Sequence, residues 1–178
     1  MLVAPGFGER GIEGKIRAIG VSNVTLEQID AYRALGQLDS AQEKYSMLDR
    51  GKEAGILPYC AELDIAFLAY SPLAQGLLTS KYLAGVPEGS RFAENDSFAE
   101  RFLTDENRKK VVALKEVADD LGVTRAQLAL AWCLMNPDVS TVITGASRVE
   151  QIRENMKALD FVDAFTPELM DEIDRVCA

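Results

Sequence analysis

Histidine is missing from this sequence altogether. Its absence removes the commonest general base and the commonest metal ligand in proteins. Cysteine is nearly as scarce, because only Cys60, Cys133 and Cys177 occur and no two of them form a CxxC pair. An odd number of scattered cysteines argues against a disulfide framework or a zinc site. It indicates a reducing compartment such as the cytoplasm.

Long apolar runs are also lacking. No stretch approaches the roughly 18 apolar residues of a membrane helix, so we expect no membrane insertion. The first residues show no basic start followed by an apolar segment, and so predict no secretory signal. The net charge of −9 repels phosphate backbones, which argues against nucleic acid as a partner.

What is present is an alternation of strands and helices in a chain of 178 residues, which suits one domain. Four segments are predicted as strands: Lys15–Val21, Ser40–Tyr45, Ile65–Tyr70 and Val139–Thr144. Six segments are predicted as helices: 25–35, Lys52–Glu62, Asp105–Leu121, Thr124–Met135, 147–159 and a last one from Pro167. The order predicts an α/β fold with a parallel sheet, interrupted by an irregular segment from Ser71 to Phe102.

Three capping boxes set the predicted starts of helices, as Thr25 with Gln28, Thr124 with Gln127, and Ser147 with Glu150. Trp132 and Cys133 fall in an apolar helix and are predicted to lie in the core.

Ligands of parallel α/β proteins bind at the carboxyl ends of the strands. Here these ends carry small and polar residues: Ser22-Asn23, Tyr45-Ser46, Tyr70–Leu73 and Thr144–Ser147. Gly145–Ser147 precedes a helix whose free N–H groups suit a phosphate, and Arg148 beside it suits the same anion. The alternative is a surface arginine. Gln151, Glu154 and Asn155 follow at one-turn spacing and could bond an adenosine, although such a row is more often a solvated helix face.

Residues 6–11 match the dinucleotide pattern GxGxxG. The pattern needs a strand before it and a helix after it, and neither is predicted here. We therefore interpret residues 1–13 as a leader that is not part of the binding site.

Five segments in order carry a resemblance to a known family: GKIRAIGVSN, QEKYSMLDR, AFLAYSPLAQGLLTSKY, LGVTRAQLALAWCL and VITGASRVEQIREN. They resemble the C-terminal half of the aldo/keto reductases, from Gly14 to the C-terminus. The branch they are most similar to includes potassium-channel β-subunits and related bacterial reductases. The resemblance implies a (β/α) TIM-barrel type fold and an oxidoreductase that reduces carbonyls with NADPH.

The resemblance also implies a set of residues that bind the cofactor NADP(H). Ser22, Asn23 and Gln42 would hold the nicotinamide carboxamide, and Tyr70 would stack on its ring. The pyrophosphate and ribose would lie against Ser71, Pro72, Leu73, Gln75, Gly76, Leu78 and Lys81. The 2′-phosphate and adenine would contact Gly145, Ser147, Arg148, Gln151, Glu154 and Asn155, and Arg91 would add a contact from the long loop.

The catalytic aspartate, tyrosine, lysine and histidine of that family lie on its first four strands. By this resemblance residues 14–178 supply only about the last four β/α units, a half barrel. We therefore expect no catalytic residue here and no activity of the chain alone. Three hypotheses remain: a truncated or split reductase that pairs with a separate N-terminal half or with itself, a non-catalytic NADP(H)-sensing module, and a gene product without function.

Overall fold

The computed structural model describes residues 14–177. Its four strands are β1 (Gly20–Ser22), β2 (Ser40–Lys44), β3 (Ala66–Tyr70) and β4 (Val139–Ile143). Its α-helices are α1 (Leu26–Arg33), α2 (Ile56–Glu62), α3 (Arg91–Glu94), α4 (Asp96–Phe102), α5 (Asp105–Asp120), α6 (Arg125–Met135), α7 (Val149–Met156) and α8 (Pro167–Cys177). Two 3₁₀ segments cover Ala74–Gly76 and Lys157–Ala164.

The strands form one parallel sheet in the order β1-β2-β3-β4, so each strand pairs with its neighbours in sequence. This confirms the predicted α/β class and parallel sheet. Because all four strands run the same way, their carboxyl ends share one edge, and the loops after them come together there.

The first strand is shorter than predicted, because it begins at Gly20 instead of Lys15. The Asp39 carboxylate accepts a hydrogen bond from the backbone amide of Ile19 at 2.7 Å, so this amide does not pair with a neighbouring strand. At Gly20 the two strands approach so closely that a Cβ would stand 2.5 Å from Ser40 Oγ. A side chain at this position would require the Ser40 hydroxyl to turn away.

The predicted helix over Lys52–Glu62 is also too long at its start, since α2 begins at Ile56. Pro58 lies in its first turn, where a missing N–H is harmless. A longer helix would have placed this proline in the interior, where it lacks a donor and clashes with the preceding turn.

The segment predicted as irregular contains two short helices, α3 and α4. Asn95 caps α4 by accepting a hydrogen bond from the amide of Phe98 at 3.1 Å. Phe92 packs 4.3 Å from Tyr82 and 6.1 Å from Phe102, measured between ring centroids. This aromatic cluster fixes helices that are too short to show periodicity.

One face of the sheet is packed into the core, which includes Ala41, Phe67 and Ala69 at 0% exposure. Trp132 and Cys133 of α6 are buried in the same core, as predicted. The opposite face remains half-buried or exposed. The register places Ser22, Gln42, Leu68 and Thr141 side by side on that open face.

Candidate functional site

A cavity of about 880 Å³ lies at the carboxyl ends of β3 and β4. It brings together thirteen of the eighteen residues proposed from the sequence: Ser71, Pro72, Leu73, Gln75, Gly76, Lys81, Arg91, Gly145, Ser147, Arg148, Gln151, Glu154 and Asn155. The loops after β3 and β4 are 74 residues apart in the chain when counted from Ser71 to Gly145, yet they form one wall. Parallel pairing of the two strands accounts for this proximity.

The loop after β3 has an unusual backbone. Ser71, Ala74 and Gln75 have φ values of 56°, 47° and 60°, which are uncommon for residues other than glycine. Gln75 Nε2 donates to Ser71 Oγ at 2.6 Å, and the Arg91 guanidinium donates to Gln75 Oε1. Strained conformations of this kind persist where the surroundings over-determine them, and they concentrate at binding sites.

The loop after β4 ends in a helix cap that differs from the predicted one. Arg148, in extended backbone conformation, is the residue before α7, and Gln151 reaches back to it. Gln151 Oε1 accepts hydrogen bonds from the amides of Ser147 and Arg148 at 2.8 Å and 3.2 Å, and from Ser147 Oγ at 3.2 Å. The predicted pairing of Ser147 with Glu150 is therefore wrong by one residue.

Positive side chains outnumber carboxylates in the lining of the cavity although the protein is acidic, and one of them, Lys115, is paired with Asp119. Five cationic side chains line it, against two carboxylates: Lys81, Arg91, Lys115, Arg125 and Arg148, with Asp119 and Glu154. Such a concentration of one sign in a cleft favours an anionic ligand.

Arg125 is the least exposed of these cations, at 8%. Its guanidinium donates to the carbonyl of Val111 at 3.2 Å. Burial lowers its pKa, which the nearby Asp119 carboxylate opposes. A buried cation bonded to a neutral carbonyl is further stabilised when an anion enters the cavity.

Four other predicted residues form a separate cluster at the ends of β1 and β3 and in the middle of β2. Ser22 Oγ donates to the carbonyl of Gln42 at 2.8 Å, and Asn23 Nδ2 donates to Ser22 Oγ at 3.0 Å. Tyr70 Oη donates to Asn23 Oδ1 at 2.6 Å. Because Tyr70 immediately precedes Ser71, this cluster adjoins the cavity.

The last predicted residue, Leu78, lies in the core at 1% exposure and does not line the cavity. The sequence reasoning missed the wall made by the end of α5 and the start of α6, which contributes Lys115, Ala118, Asp119 and Val123–Ala126. Two cations in this wall could have indicated it, because Lys115 and Arg125 lie on either side of the connection between two predicted helices in an otherwise acidic chain.

Within residues 14–177, no three histidine, cysteine or carboxylate side chains come close enough to hold a metal ion. In the same range, none of the helices has the length and apolar character to cross a bilayer. The three cysteines are all free and buried.

A parallel sheet with helices between its strands and a cleft at its strand ends is the arrangement of a partial barrel of the TIM-barrel type. The aldo/keto reductase family profile matches residues 9–178, and the chain belongs to this family.

Curated relatives extend the likeness. The chain is 47% identical over 167 residues to a probable voltage-gated potassium channel subunit beta of Arabidopsis thaliana, covering 88% of this chain and 51% of that protein. It is 42% identical over 153 residues to the NADH-specific methylglyoxal reductase of Escherichia coli, covering 83% and 45%. The chain thus spans about half the length of these relatives.

Among solved structures, the glycerol dehydrogenase of Gluconobacter oxydans superimposes with a TM-score of 0.75 at 27% identity. The superposition covers 94% of this chain and 51% of the other. The likeness supports the TIM-barrel type of fold and an oxidoreductase family.

Proposed function

We propose that this chain supplies the cofactor-binding part of an aldo/keto reductase that uses NADP(H). The observation that carries the proposal is the cationic cavity at the carboxyl ends of β3 and β4, which five lysine and arginine side chains and two carboxylates line. A dinucleotide with an additional 2′-phosphate carries the negative charge that such a cleft favours. Membership of the aldo/keto reductase family is the reason for proposing a nicotinamide dinucleotide as the ligand.

The residues present fit such a cofactor along its length. Arg148 and Ser147 would hold the 2′-phosphate at the start of α7, with Gln151, Glu154 and Asn155 along the adenosine. The loop after β3, with Lys81 and Arg91, would hold the pyrophosphate. Ser22, Asn23 and Gln42 would bond the carboxamide, beside Tyr70. When bound, the cofactor supplies a hydride to a carbonyl carbon.

We expect Arg148 to set the preference for NADPH over NADH. Cofactor preference is a relevant question in this family, because one relative is named as NADH-specific. Calorimetric titration of the chain should show tighter binding of NADPH than of NADH. Arg148→Gln should weaken NADPH binding about 10- to 100-fold, because a charge-assisted bond to phosphate contributes about 1.5–3 kcal/mol. NADH binding should hardly change.

Arg153→Gln is the matched control, since Arg153 lies on the same helix, is exposed and does not line the cavity. Equal affinity of the unchanged chain for NADPH and NADH would overturn the role of Arg148. The absence of binding to either would overturn the proposal as a whole.

We further propose that the chain alone does not reduce carbonyls. A proton donor must lie within hydrogen-bond reach of the carbonyl oxygen, and the sequence has no histidine for this role. Tyr45 is buried, Tyr32 lies on α1 and does not line the cavity, and the hydroxyls of Tyr59 and Tyr70 already donate to Asp30 and Asn23. Tyr82 lines the cavity but is only 3% exposed.

An assay of the purified chain with NADPH and an aromatic aldehyde should therefore show no oxidation above the protein-free rate. Positioned acids contribute about 10²–10⁴-fold, so their absence is easily measured. Steady turnover that a single substitution in this chain abolishes would contradict the proposal.

A non-catalytic module that senses NADP(H) is the second candidate function. It is favoured by the 47% identity to a protein named as a potassium channel subunit beta. Both candidate functions use the same cofactor cavity. They are distinguished by whether a complex that contains this chain reduces a carbonyl substrate.

The free cysteines suit a reducing compartment, and we propose the cytoplasm.

A further inference from the structure

Glu43 is a carboxylate with no exposed surface, and nothing in the proposed cofactor contacts accounts for it. It lies on β2 next to Gln42, but its side chain occupies the packed face of the sheet, between Ala41 and Tyr45. One oxygen, Oε1, accepts a hydrogen bond from the amide of Val24 at 2.8 Å. The other, Oε2, lies 2.6 Å from the ammonium of Lys52.

An ion pair with a fully buried carboxylate is a poor means of stabilising a core. Removing the Glu43 carboxylate from water costs free energy, although Lys52 stays 28% exposed, and apolar residues of similar volume are often at least as stabilising. Such a pair is better explained by a local arrangement that it enforces. Here the carboxylate holds the amide of Val24, which is itself buried at 8% exposure.

The amide of Val24 belongs to the turn that leaves β1. Asn23 in this turn has φ of 54°, in the left-handed region, and its amide donates to the carbonyl of Gln42 at 3.2 Å. Consecutive residues of β2 therefore hold consecutive residues of the turn, Gln42 holding Asn23 and Glu43 holding Val24. Without the carboxylate, a buried donor would lose its partner, which favours a different turn.

The position of this turn fixes the position of the Asn23 side chain. The side-chain oxygen Oδ1 accepts a hydrogen bond from Tyr70 Oη at 2.6 Å, and the side-chain nitrogen Nδ2 donates one to Ser22 Oγ at 3.0 Å. A chain of contacts thus leads from the buried Glu43 through the turn to Asn23 and Tyr70 at the strand ends.

We propose that Glu43, neutralised by Lys52, is a positioning residue for the nicotinamide end of the cofactor site. It holds the turn at Ser22–Val24 so that the Asn23 amide and Tyr70 are arranged before a ligand arrives. The inference rests on the proposed function for the identity of the ligand, whereas the positioning itself depends only on contacts within the chain. Preorganisation of this kind lowers the cost of binding.

Two ligands separate positioning from general stability. NADPH reaches both ends of the site, while adenosine 2′,5′-bisphosphate reaches only the cationic cavity. Glu43→Ala should weaken NADPH binding about tenfold, toward the affinity of the bisphosphate, and leave bisphosphate binding unchanged. A loss of folded protein would lower the apparent affinity for both ligands equally.

A double variant tests which part of the contact matters. Glu43→Gln combined with Lys52→Met keeps an acceptor oxygen for the Val24 amide and removes both charges, so NADPH affinity should return to within about threefold of the unchanged chain. Glu62→Gln, on the exposed surface of α2, is the control and should have no effect on either ligand.

Hydrogen exchange supplies a measurement that needs no ligand. In Glu43→Ala the amide of Val24 should exchange at least about tenfold faster, while that of the buried Ile29 in α1 keeps its rate. Unchanged exchange at Val24, or a parallel loss of affinity for both ligands, would overturn the role of Glu43. If the unchanged chain binds neither ligand, the proposed function fails, and the exchange result still decides whether Glu43 holds the turn.

Discussion

Cys60 lies fully buried beside the Glu43–Lys52 pair, and its environment gives a pH dependence that can be measured. Burial raises the pKa of its thiol to about 11, with a further increase from the Glu43 carboxylate and an opposing effect of Lys52. In an unfolded chain a thiol titrates near 8.5. From about pH 8.5 to about pH 11 the unfolded state therefore loses protons that the folded state keeps, and the free energy of unfolding falls as the pH rises.

We expect the urea midpoint of the chain to decrease steadily above about pH 8.5. Cys60→Ala should show a shallower decrease, because one of the buried thiols no longer contributes. Cys177, whose pKa burial also raises to about 11, should retain its share in that variant. Parallel pH profiles for the two proteins would show that the Cys60 thiol does not carry the effect.

The neighbouring pair Gln42 and Glu43 shows what single residues reveal in a sequence. By resemblance Gln42 is expected to hold the nicotinamide carboxamide, and it lies on the open face of the sheet. The burial of Glu43 cannot be predicted from this strand, because alternation assigns the two faces of a strand only when they differ in polarity. A buried carboxylate becomes visible only when its partners, Val24 and Lys52, are brought to it by the fold.

At the scale of elements, the capping hydrogen bonds at the starts of helices could be predicted where they depend only on residues near in sequence. They could not be predicted where the path of a neighbouring loop decides them. The boxes at Thr25 and Thr124 are confirmed, with Thr124 Oγ1 accepting from the amide of Gln127 at 3.2 Å. At α7 the chain stays extended for one residue more, so Gln151 replaces Glu150 as the reciprocal partner. Two plausible caps one residue apart cannot be ranked from sequence, since the path of the preceding loop decides between them.

The cavity shows the same division. The loops after β3 and β4 were predictable as walls, because the rule that ligands bind at strand ends needs only strand positions. The wall from α5 and α6 was missed, since it depends on how these helices pack against the sheet. Arg125 and Lys115 reach the cavity from that side.

At the scale of the whole molecule, two surfaces remain available for association. The open face of the sheet is half-buried or exposed. A second surface, which we call the apolar stripe, consists of Val149, Ile152, Met156 and Leu159, each 52–57% exposed. Their spacing of three or four residues places them on one side of α7 and the segment after it. An apolar stripe facing water indicates an interface.

We propose that in a complete barrel these surfaces are covered by polypeptide equivalent to the other half of the relatives' length. In the chain alone they would be covered by a second copy. Parallel edge strands with apolar surroundings favour such pairing, while the charge of −9 slows random aggregation without burying either surface.

Light scattering on a sizing column should therefore show a dimer or a larger species for the purified chain. Ile152→Asp, in the middle of the apolar stripe, should shift the protein toward monomer by introducing a charge that the interface would have to bury. Val112→Asp is the matched control, because Val112 is 56% exposed on α5 and lies outside the stripe, so its variant should keep the assembly state.

Hydrogen exchange should show β1 and β4 protected only in the associated form. A compact monomer in which both edge strands resist exchange would contradict the prediction, because the edges would then be covered within a single chain.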